Sequence, residues 1–174
     1  MKKGRFVAAA ALVFVLGVGT GMAAKNRLDV ASYSGLSKPE AGNALLKEAL
    51  AQAGKGSWER IAVGRVYVLA GMKAEGKAIF DGVLAGKHES SDVLRIARAW
   101  REAGDWATAK PLFDRFVVEN PKEDKDLAEI GAYYLLAGDR AQAEALYAKS
   151  FAITEEFWST LAAAAGYLGV APQD

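Results

Sequence analysis

The sequence predicts an all-α protein built from a repeated pair of helices, and three observations carry this prediction. Alanine, the residue with the highest helix propensity, is heavily used, and the 174-residue chain contains only four prolines. A three-residue segment ending in Ala-Gly recurs at residues 69–71, 102–104 and 136–138. On both sides of this segment, small and large apolar residues recur three and four apart, as on a helix with one buried stripe.

The first 24 residues have the three parts of a secretory signal peptide. A basic start is followed by an apolar run over residues 6–18 and by small residues up to Ala24. We expect cleavage near Ala23 or Ala24; an uncleaved membrane anchor and a buried helix of the fold are the alternatives. Cleavage or anchoring would place the body outside the cytoplasm. The expected location is therefore periplasmic or secreted, or anchored in the inner membrane with the body outside the cytoplasm.

Two further segments complete the predicted domain organisation. Residues 25–37 have no helical pattern and suit an extended linker, or an arm that packs back on the repeats. Residues 38–174 are predicted to form the helical repeat domain, which begins with an amphipathic helix over residues 39–54. The apolar face of that helix is predicted to hold Leu45, Leu46 and Leu50.

The segments between the repeated helices are predicted to be tight turns. Gly71, Gly104 and Gly138 suit the left-handed backbone conformation that ends a helix. Asp105 and Asp139 directly follow two of these glycines and are predicted to cap the next helix.

The last segment of the chain, residues 155–168, is predicted to be a terminal helix that covers the final hydrophobic face of the stack. Its large apolar residues are Phe157, Trp158, Leu161 and Tyr167.

Each repeat places small and aromatic residues at fixed positions. The first helix has a small residue followed three positions later by an aromatic one: Gly64 and Tyr67, Ala97 and Trp100, Gly131 and Tyr134. The second helix has a small residue followed four positions later by an aromatic one: Gly76 and Phe80, Ala109 and Phe113, Ala143 and Tyr147. Three repeats in register resemble the tetratricopeptide repeat family. The resemblance implies a right-handed superhelical stack of antiparallel helix pairs, with about three repeats plus capping helices.

The sequence departs from the family pattern at two places. The usual small residue late in the second helix is replaced by Val83, Phe116 and Ser150, and the proline at the end of the repeat occurs once, as Pro121.

The inventory of reactive residues argues against catalysis. There is no cysteine, which excludes disulfides, thiol chemistry and cysteine-bound zinc. The one histidine, His88, is expected to be a solvated turn residue. Carboxylates clustered over residues 119–126 do not match a calcium loop, and their position at the start of a helix explains them. We therefore expect no catalytic residue, no metal site and no cofactor, and the chain is not expected to be an enzyme.

The charge balance excludes one class of partner. Removing Lys2, Lys3 and Arg5 from the 22 basic residues leaves 19 against 21 acidic ones. A weakly acidic body lacks the positive field that nucleic-acid binding needs, so we expect no nucleic-acid partner. Contact with a membrane is expected only through an uncleaved N-terminal segment.

The resemblance implies where a partner would bind, since in this family the first helix of each repeat lines a concave groove. Carried over position by position, the groove residues are Trp58, Ile61, Arg65, Val68, Ser91, Leu94, Arg98, Arg101, Lys125, Ala128, Ala132 and Leu135. Arg65, Arg98 and Arg101 would line one side and suit an acidic peptide or a C-terminal carboxylate. In the alternative interpretation, these arginines pair with neighbouring residues such as Glu59, Glu102 and Glu129.

The sequence therefore predicts an exported adaptor or scaffold that binds a protein segment in the groove. A structural or self-associating component that braces an envelope assembly is the alternative.

Overall fold

The computed structural model describes residues 28–154 and 156–172, and its regular structure is helical throughout this part of the chain. A short 3-10 helix, Val30–Ser32, precedes eight α-helices. They are α1 (Lys38–Ala53), α2 (Ser57–Leu69), α3 (Lys73–Ala85), α4 (Ser90–Glu102), α5 (Trp106–Glu119), α6 (Asp124–Leu136), α7 (Arg140–Ile153) and α8 (Phe157–Tyr167). The all-α prediction is confirmed. The predicted signal peptide or anchor, residues 1–24, lies outside the described residues.

Helices pair in chain order, α2 with α3, α4 with α5 and α6 with α7, and three-residue turns join the members of each pair. Gly71, Gly104 and Gly138 occupy these turns with φ of 83°, 73° and 89°. The Asp105 carboxylate accepts a hydrogen bond from the Thr108 N–H at 3.2 Å. Asp139 caps α7 in the same way, through Gln142 N at 3.1 Å. The predicted left-handed glycines and aspartate caps are confirmed.

Close contact within a pair depends on the small residues of the repeat. A Cβ on Gly64 would come 2.5 Å from Cε1 of Phe80, and a Cβ on Gly131 would come 2.7 Å from Cε1 of Tyr147. The aromatic ring of the second helix therefore packs directly on the backbone of the first. This contact explains why the repeat pairs a small residue with an aromatic one.

Aromatic residues also fill the space between successive pairs. Phe80 of the first pair meets Trp100 of the second edge-to-face, with ring centroids 5.7 Å apart. Trp106 and Tyr134 make the equivalent contact between the second and third pairs at 5.1 Å. The backbones of α4 and α6 approach less closely than those of α2 and α4, and side chains bridge the wider gap.

The three residues that replace the family's small residue late in the second helix are part of the core. Val83, Phe116 and Ser150 are all buried. Ser150 donates a hydrogen bond from Oγ to the carbonyl oxygen of Asp124 at 2.7 Å, so its hydroxyl is satisfied where it ties α7 to the start of α6.

At the N-terminal end, Leu46 and Leu50 of α1 pack against Val63 and Tyr67 of α2, as predicted. Leu45 was expected on the same apolar face, but the structure leaves it 37% exposed. It is adjacent in sequence to Leu46, and neighbouring residues of a helix point about 100° apart. The predicted linker or arm over residues 25–37 is described only from residue 28 onwards.

At the C-terminal end, α8 packs on α6 as the predicted terminal helix, but it does so with its small residues. Ala163 and Gly166 are buried, and a Cβ on Gly166 would come 3.0 Å from Cβ of Ala132. The large apolar side chains predicted to cover the stack face outward instead. They are Phe157, Trp158, Leu161 and Tyr167, exposed by 67%, 58%, 48% and 52%.

None of the described helices is both long enough and apolar enough to cross a bilayer.

Candidate functional site

The first helices of the repeats, together with α8, lie side by side, and we call the surface formed by α2, α4, α6 and α8 the first-helix face. Two grooves indent this face. The N-terminal groove, of about 400 Å³, lies between α2 and α4 and extends to Glu129 of α6. The C-terminal groove, of about 300 Å³, lies between α6, α8 and the residues that follow α8. Glu129 lines both grooves, so they are neighbouring parts of one surface.

The groove residues predicted from the sequence divide into two groups. One group is accessible to a partner: Trp58, Arg65 and Lys125 are exposed, and Ser91, Arg98, Arg101 and Leu135 are half-buried. The other group is buried between the helices: Ile61, Val68, Leu94, Ala128 and Ala132. Of the buried residues, Ile61 lines the N-terminal groove. The buried group packs the first helices together, and that these residues contribute to a partner-binding surface stays a prediction.

The arginines at the equivalent positions of the first two repeats pair with neighbouring glutamates. Arg65 of α2 donates from Nε and Nη2 to Glu102 of α4, at 2.6 and 2.5 Å. Arg98 of α4 donates from the same two atoms to Glu129 of α6, also at 2.6 and 2.5 Å. The alternative that the sequence left open, internal pairing, therefore describes both side chains. That a partner binds them stays a prediction.

The two arginine pairs differ in their access to solvent. The Arg65 and Glu102 side chains are 45% and 39% exposed, whereas those of Arg98 and Glu129 are 21% and 14% exposed. Solvent screens the first pair strongly, so a partner's carboxylate can compete with Glu102 at little cost. The second pair is better suited to holding α4 and α6 together.

Two further arginines lie over aromatic rings. The guanidinium carbon of Arg95 lies 4.5 Å from the centroid of the Trp58 ring, in the N-terminal groove. That of Arg101 lies 4.7 Å from the centroid of Tyr133. Sequence reasoning missed Arg95 because its position in the repeat, one helical turn before Arg98, is not one that the resemblance assigns to the groove.

Glu129 is the most highly connected acidic residue of the face. Besides the two bonds from Arg98, it accepts a hydrogen bond from the Tyr133 hydroxyl at 2.7 Å. It therefore holds Arg98 in the N-terminal groove and the hydroxyl of Tyr133. The sequence suggested Glu129 only as an internal partner for an arginine.

Asp126 lies one turn before Glu129, with Oδ1 3.6 Å from Nη2 of Arg98. Burial raises the pKa of the Asp126 carboxyl to about 6, opposed by Arg98 and reinforced by the negative charges of Glu129, Glu123 and Asp124. The charge beside Arg98 therefore changes when Asp126 titrates near pH 6.

The charges along the first-helix face balance. Beside its grooves it carries the basic residues Arg65, Arg95, Arg98, Arg101 and Lys125 and the acidic residues Asp92, Glu102, Asp126, Glu129 and Glu156. The face is thus a set of ion pairs beside exposed aromatic rings, with no uniform positive field. Binding of a partner to this face therefore depends on which of these ion pairs the charged groups of the partner can displace.

The C-terminal groove is predominantly apolar. It is lined by Trp158 and Leu161 of α8 and by Val170 beyond it, which are 58%, 48% and 54% exposed. Lys125, a predicted groove residue, stands at its edge and pairs with Glu156 at 3.5 Å. One feature of the sequence could have indicated this groove: Phe157 and Trp158 are adjacent, so a helix cannot bury both on one face.

The only histidine, His88, lies in the turn between α3 and α4 and is half-buried rather than fully solvated. Its Nδ1 donates to the carbonyl oxygen of Gly86 at 3.0 Å, and its Nε2 accepts from Nη2 of Arg115 at 3.1 Å. Both ring nitrogens are used by structural contacts. Within residues 28–154 and 156–172, no group of three or more His, Asp or Glu side chains is placed to hold a metal ion.

Comparison with known proteins gives one match. The family model described as tetratricopeptide repeat matches residues 93–123, which contain most of α4, all of α5 and the turn that leads to α6. None of the curated proteins and none of the solved structures matches the chain. The matched unit is the second of the three helix pairs, and the first and third repeat its small and aromatic positions.

Proposed function

We propose that this chain, in which residues 93–123 match the tetratricopeptide repeat family, is an exported adaptor that binds a segment of a partner protein on the first-helix face. Repeats of this family generally mediate protein–protein interaction. The proposal specifies the two grooves as the binding surface, and assigns the chain no catalytic activity. It requires the described helices to act as a rigid platform, on which exposed side chains provide the contacts.

One observation carries the proposal: a large, accessible tryptophan lies in each groove. Trp58 is 64% exposed in the N-terminal groove, and Trp158 is 58% exposed in the C-terminal groove. Tryptophan and arginine dominate the energetics of protein interfaces, because they bury much surface and keep a polar handle. Arg95 stacked on Trp58 holds that ring in place before a partner arrives.

The chemistry of the grooves suggests the kind of segment that binds. The apolar C-terminal groove, with Trp158 and Leu161, suits an apolar side chain. In the N-terminal groove, Arg65 is the arginine that a partner's carboxylate reaches most easily, since its own pair with Glu102 is exposed. We therefore propose a segment with an apolar anchor and an acidic group, in which the acidic group displaces Glu102.

The experiment is a crosslinking pull-down from cells that express the full chain. It compares the wild type with Trp58→Ala, with Arg65→Glu and with Val118→Ala. Val118 is the matched control because it is 78% exposed on α5, away from the first-helix face. Loss of the same partner from the two groove variants, and its retention by Val118→Ala, would support the proposal. Capture of that partner by all four proteins would reject it.

Export is a separate part of the proposal and rests on the basic, apolar and small-residue sequence of residues 1–24. The intact mass of the chain recovered from the periplasm of a bacterial host tests it. A mass lacking residues 1–23 or 1–24 supports a cleaved signal, and a full-length chain in the membrane fraction supports an anchor. Recovery of the full-length chain from the cytosol would reject export.

A second function is favoured by a different observation. Phe157 at the start of α8 and Leu168 just after its end are exposed to solvent, although the ends of repeat stacks usually carry polar residues. This exposed apolar surface suits a self-associating component that braces an envelope assembly. Light scattering after size exclusion distinguishes the two functions: concentration-dependent dimers abolished by Leu168→Asp favour self-association, and a monomer at all concentrations favours the adaptor.

A further inference from the structure

A third depression lies away from the first-helix face. It has a volume of about 320 Å³ and lies between the start of α2, the end of α3 and the loop that leads to α4. Its lining includes Lys55, Ser57, Arg60, Gly82, Gly86 and Lys87. Three of its lining residues are basic and none is acidic, and it shares no lining residue with either groove. We call it the basic pocket.

The lysines of the basic pocket lack the carboxylate partners that several other lysines of the described helices have. Lys73, Lys77 and Lys110 each donate to a carboxylate, at 3.0, 2.6 and 2.8 Å. Within the described residues, Lys55 and Lys87 form no ion pair. Unpaired surface lysines are ordinary singly, but here two of them converge with an arginine on one depression.

Arg60 supplies the second observation. Its Nε is buried and has no hydrogen-bond partner among the described residues. Its Nη1 makes one long hydrogen bond, 3.5 Å, to the carbonyl oxygen of Gly54. A guanidinium offers five donors in a planar fork, so most of its donor capacity is unused by this part of the chain. The donors that an oxygen-rich ligand in the pocket would contact are those on Nη1 and Nη2, of which only Nη1 makes a bond to the described residues, and a long one.

The local backbone leaves room for such a ligand and does not neutralise the charge. Gly82 lies beside the guanidinium, and a Cβ at this position would come 3.3 Å from Nη2 of Arg60. Glu59, the acidic neighbour of Arg60 in sequence, folds back against Gly56 and does not line the pocket. The end of α3 contributes a partial charge of about −0.5, which is small against three full positive charges.

We propose that the basic pocket is a binding site for a phosphate-type oxyanion. Arg60 presents a planar fork suited to two oxygens of one phosphate group, and Lys55 and Lys87 supply compact charges from the two flanking loops. The Ser57 hydroxyl adds a neutral donor. Free phosphate and the phosphate monoester of a lipid headgroup share this chemistry. This site is independent of the proposed partner groove.

Calorimetric titration of the purified full chain at low ionic strength, in a chloride buffer, tests the proposal. One arm uses inorganic phosphate. A second uses a short-chain phosphatidic acid below its micelle concentration, with the matching phosphatidylcholine as its control. Saturable binding in either active arm supports the site, and the tighter arm identifies the source of the phosphate. Binding is expected to weaken as salt increases, because charges make the contacts.

Two variants and a control establish where the anion binds. Arg60→Gln and the double variant Lys55→Gln/Lys87→Gln are each expected to weaken binding at least tenfold. The lysine variant replaces only exposed side chains, so it keeps the test valid if Arg60→Gln fails to fold. Lys149→Gln is the control, since Lys149 is an exposed lysine of α7 outside the pocket. It is expected to bind phosphate as the wild type does.

Three results would overturn the proposal. They are the absence of saturable binding in both active arms, undiminished binding by the double lysine variant, and an equal loss of binding in Lys149→Gln. The last result would mean that net charge, and not the pocket, attracts the anion.

Discussion

The guanidinium of Arg98 and the carboxylate of Glu129 form a two-point ion pair that joins α4 to α6. Its two bonds are 2.6 and 2.5 Å long, and both side chains are largely shielded from solvent. The equivalent arginine one repeat earlier, Arg65, makes a pair of the same geometry in an exposed position. The same kind of arginine–glutamate pair therefore occurs twice in this protein, once shielded from solvent and once exposed.

We expect the shielded pair to contribute more to stability than the exposed one. Glu129→Gln leaves Arg98 without its two-point partner in a partly buried position and should lower the free energy of unfolding by about 2 kcal/mol. Glu102→Gln, the matched change in the exposed pair, should lower it by less than about 1 kcal/mol. Urea unfolding followed by circular dichroism measures both. Equal losses would show that burial does not decide the strength of these pairs.

The small residues of the repeat give a second prediction, which uses two glycines that both lie within helices. Gly131→Ala inserts a Cβ where Cε1 of Tyr147 is 2.7 Å away, so the ring must move and stability should fall by about 1–3 kcal/mol. Gly42→Ala in α1 meets no atom within 4 Å and should raise stability by about 0.5–1 kcal/mol through helix propensity. Thermal unfolding of the two variants checks the opposite signs. A stabilised Gly131→Ala would contradict the packing described between α6 and α7.

Asp126 gives a prediction about pH. Burial raises its pKa in the folded state to about 6, from 3.8, so between these values the folded protein binds more protons than the unfolded one. The contribution of Asp126 to stability therefore falls as pH rises from about 4 to about 6, and stays low above that range. Asp126→Asn removes this penalty. It should be more stable than the wild type by about 1 kcal/mol at pH 7, with a smaller difference at pH 4.

Asp81→Asn is the control for that measurement, because Asp81 is an exposed partner of Lys77. Its effect on unfolding free energy should be less than about 0.5 kcal/mol. Denaturant unfolding at several pH values compares the two variants. If the advantage of Asp126→Asn grows towards pH 4, the sign of the pKa shift is wrong.

The repeated helices were predictable from the sequence because their positions are periodic. Gly104 and Asp105 specify a turn and a cap by local chemistry alone, and both act as predicted. Small and aromatic residues such as Gly64 and Phe80 meet within one pair, where a short turn brings them together. Contacts of this kind depend on spacing along the chain, which a sequence displays directly.

The arrangement of the grooves was less predictable, since it depends on distances between helices. Arg65 pairs with the last residue of α4, whereas Arg98 pairs with the middle of α6, so the two glutamates occupy different positions in the repeat. No periodic pattern connects them. The orientation of α8 could not be predicted from the sequence for another reason. Both of its faces are apolar, and the face with Gly166 packs closely on Ala132 and Tyr147.

The central claim is that a partner protein lies on the first-helix face, and site-specific photocrosslinking in living cells tests it most directly. A photoreactive amino acid is placed at position 58, at position 161 or, as the control, at position 118. The account predicts that positions 58 and 161 crosslink to one and the same protein and that position 118 does not. Crosslinks to that protein from position 118 alone, or equally from all three positions, would contradict it.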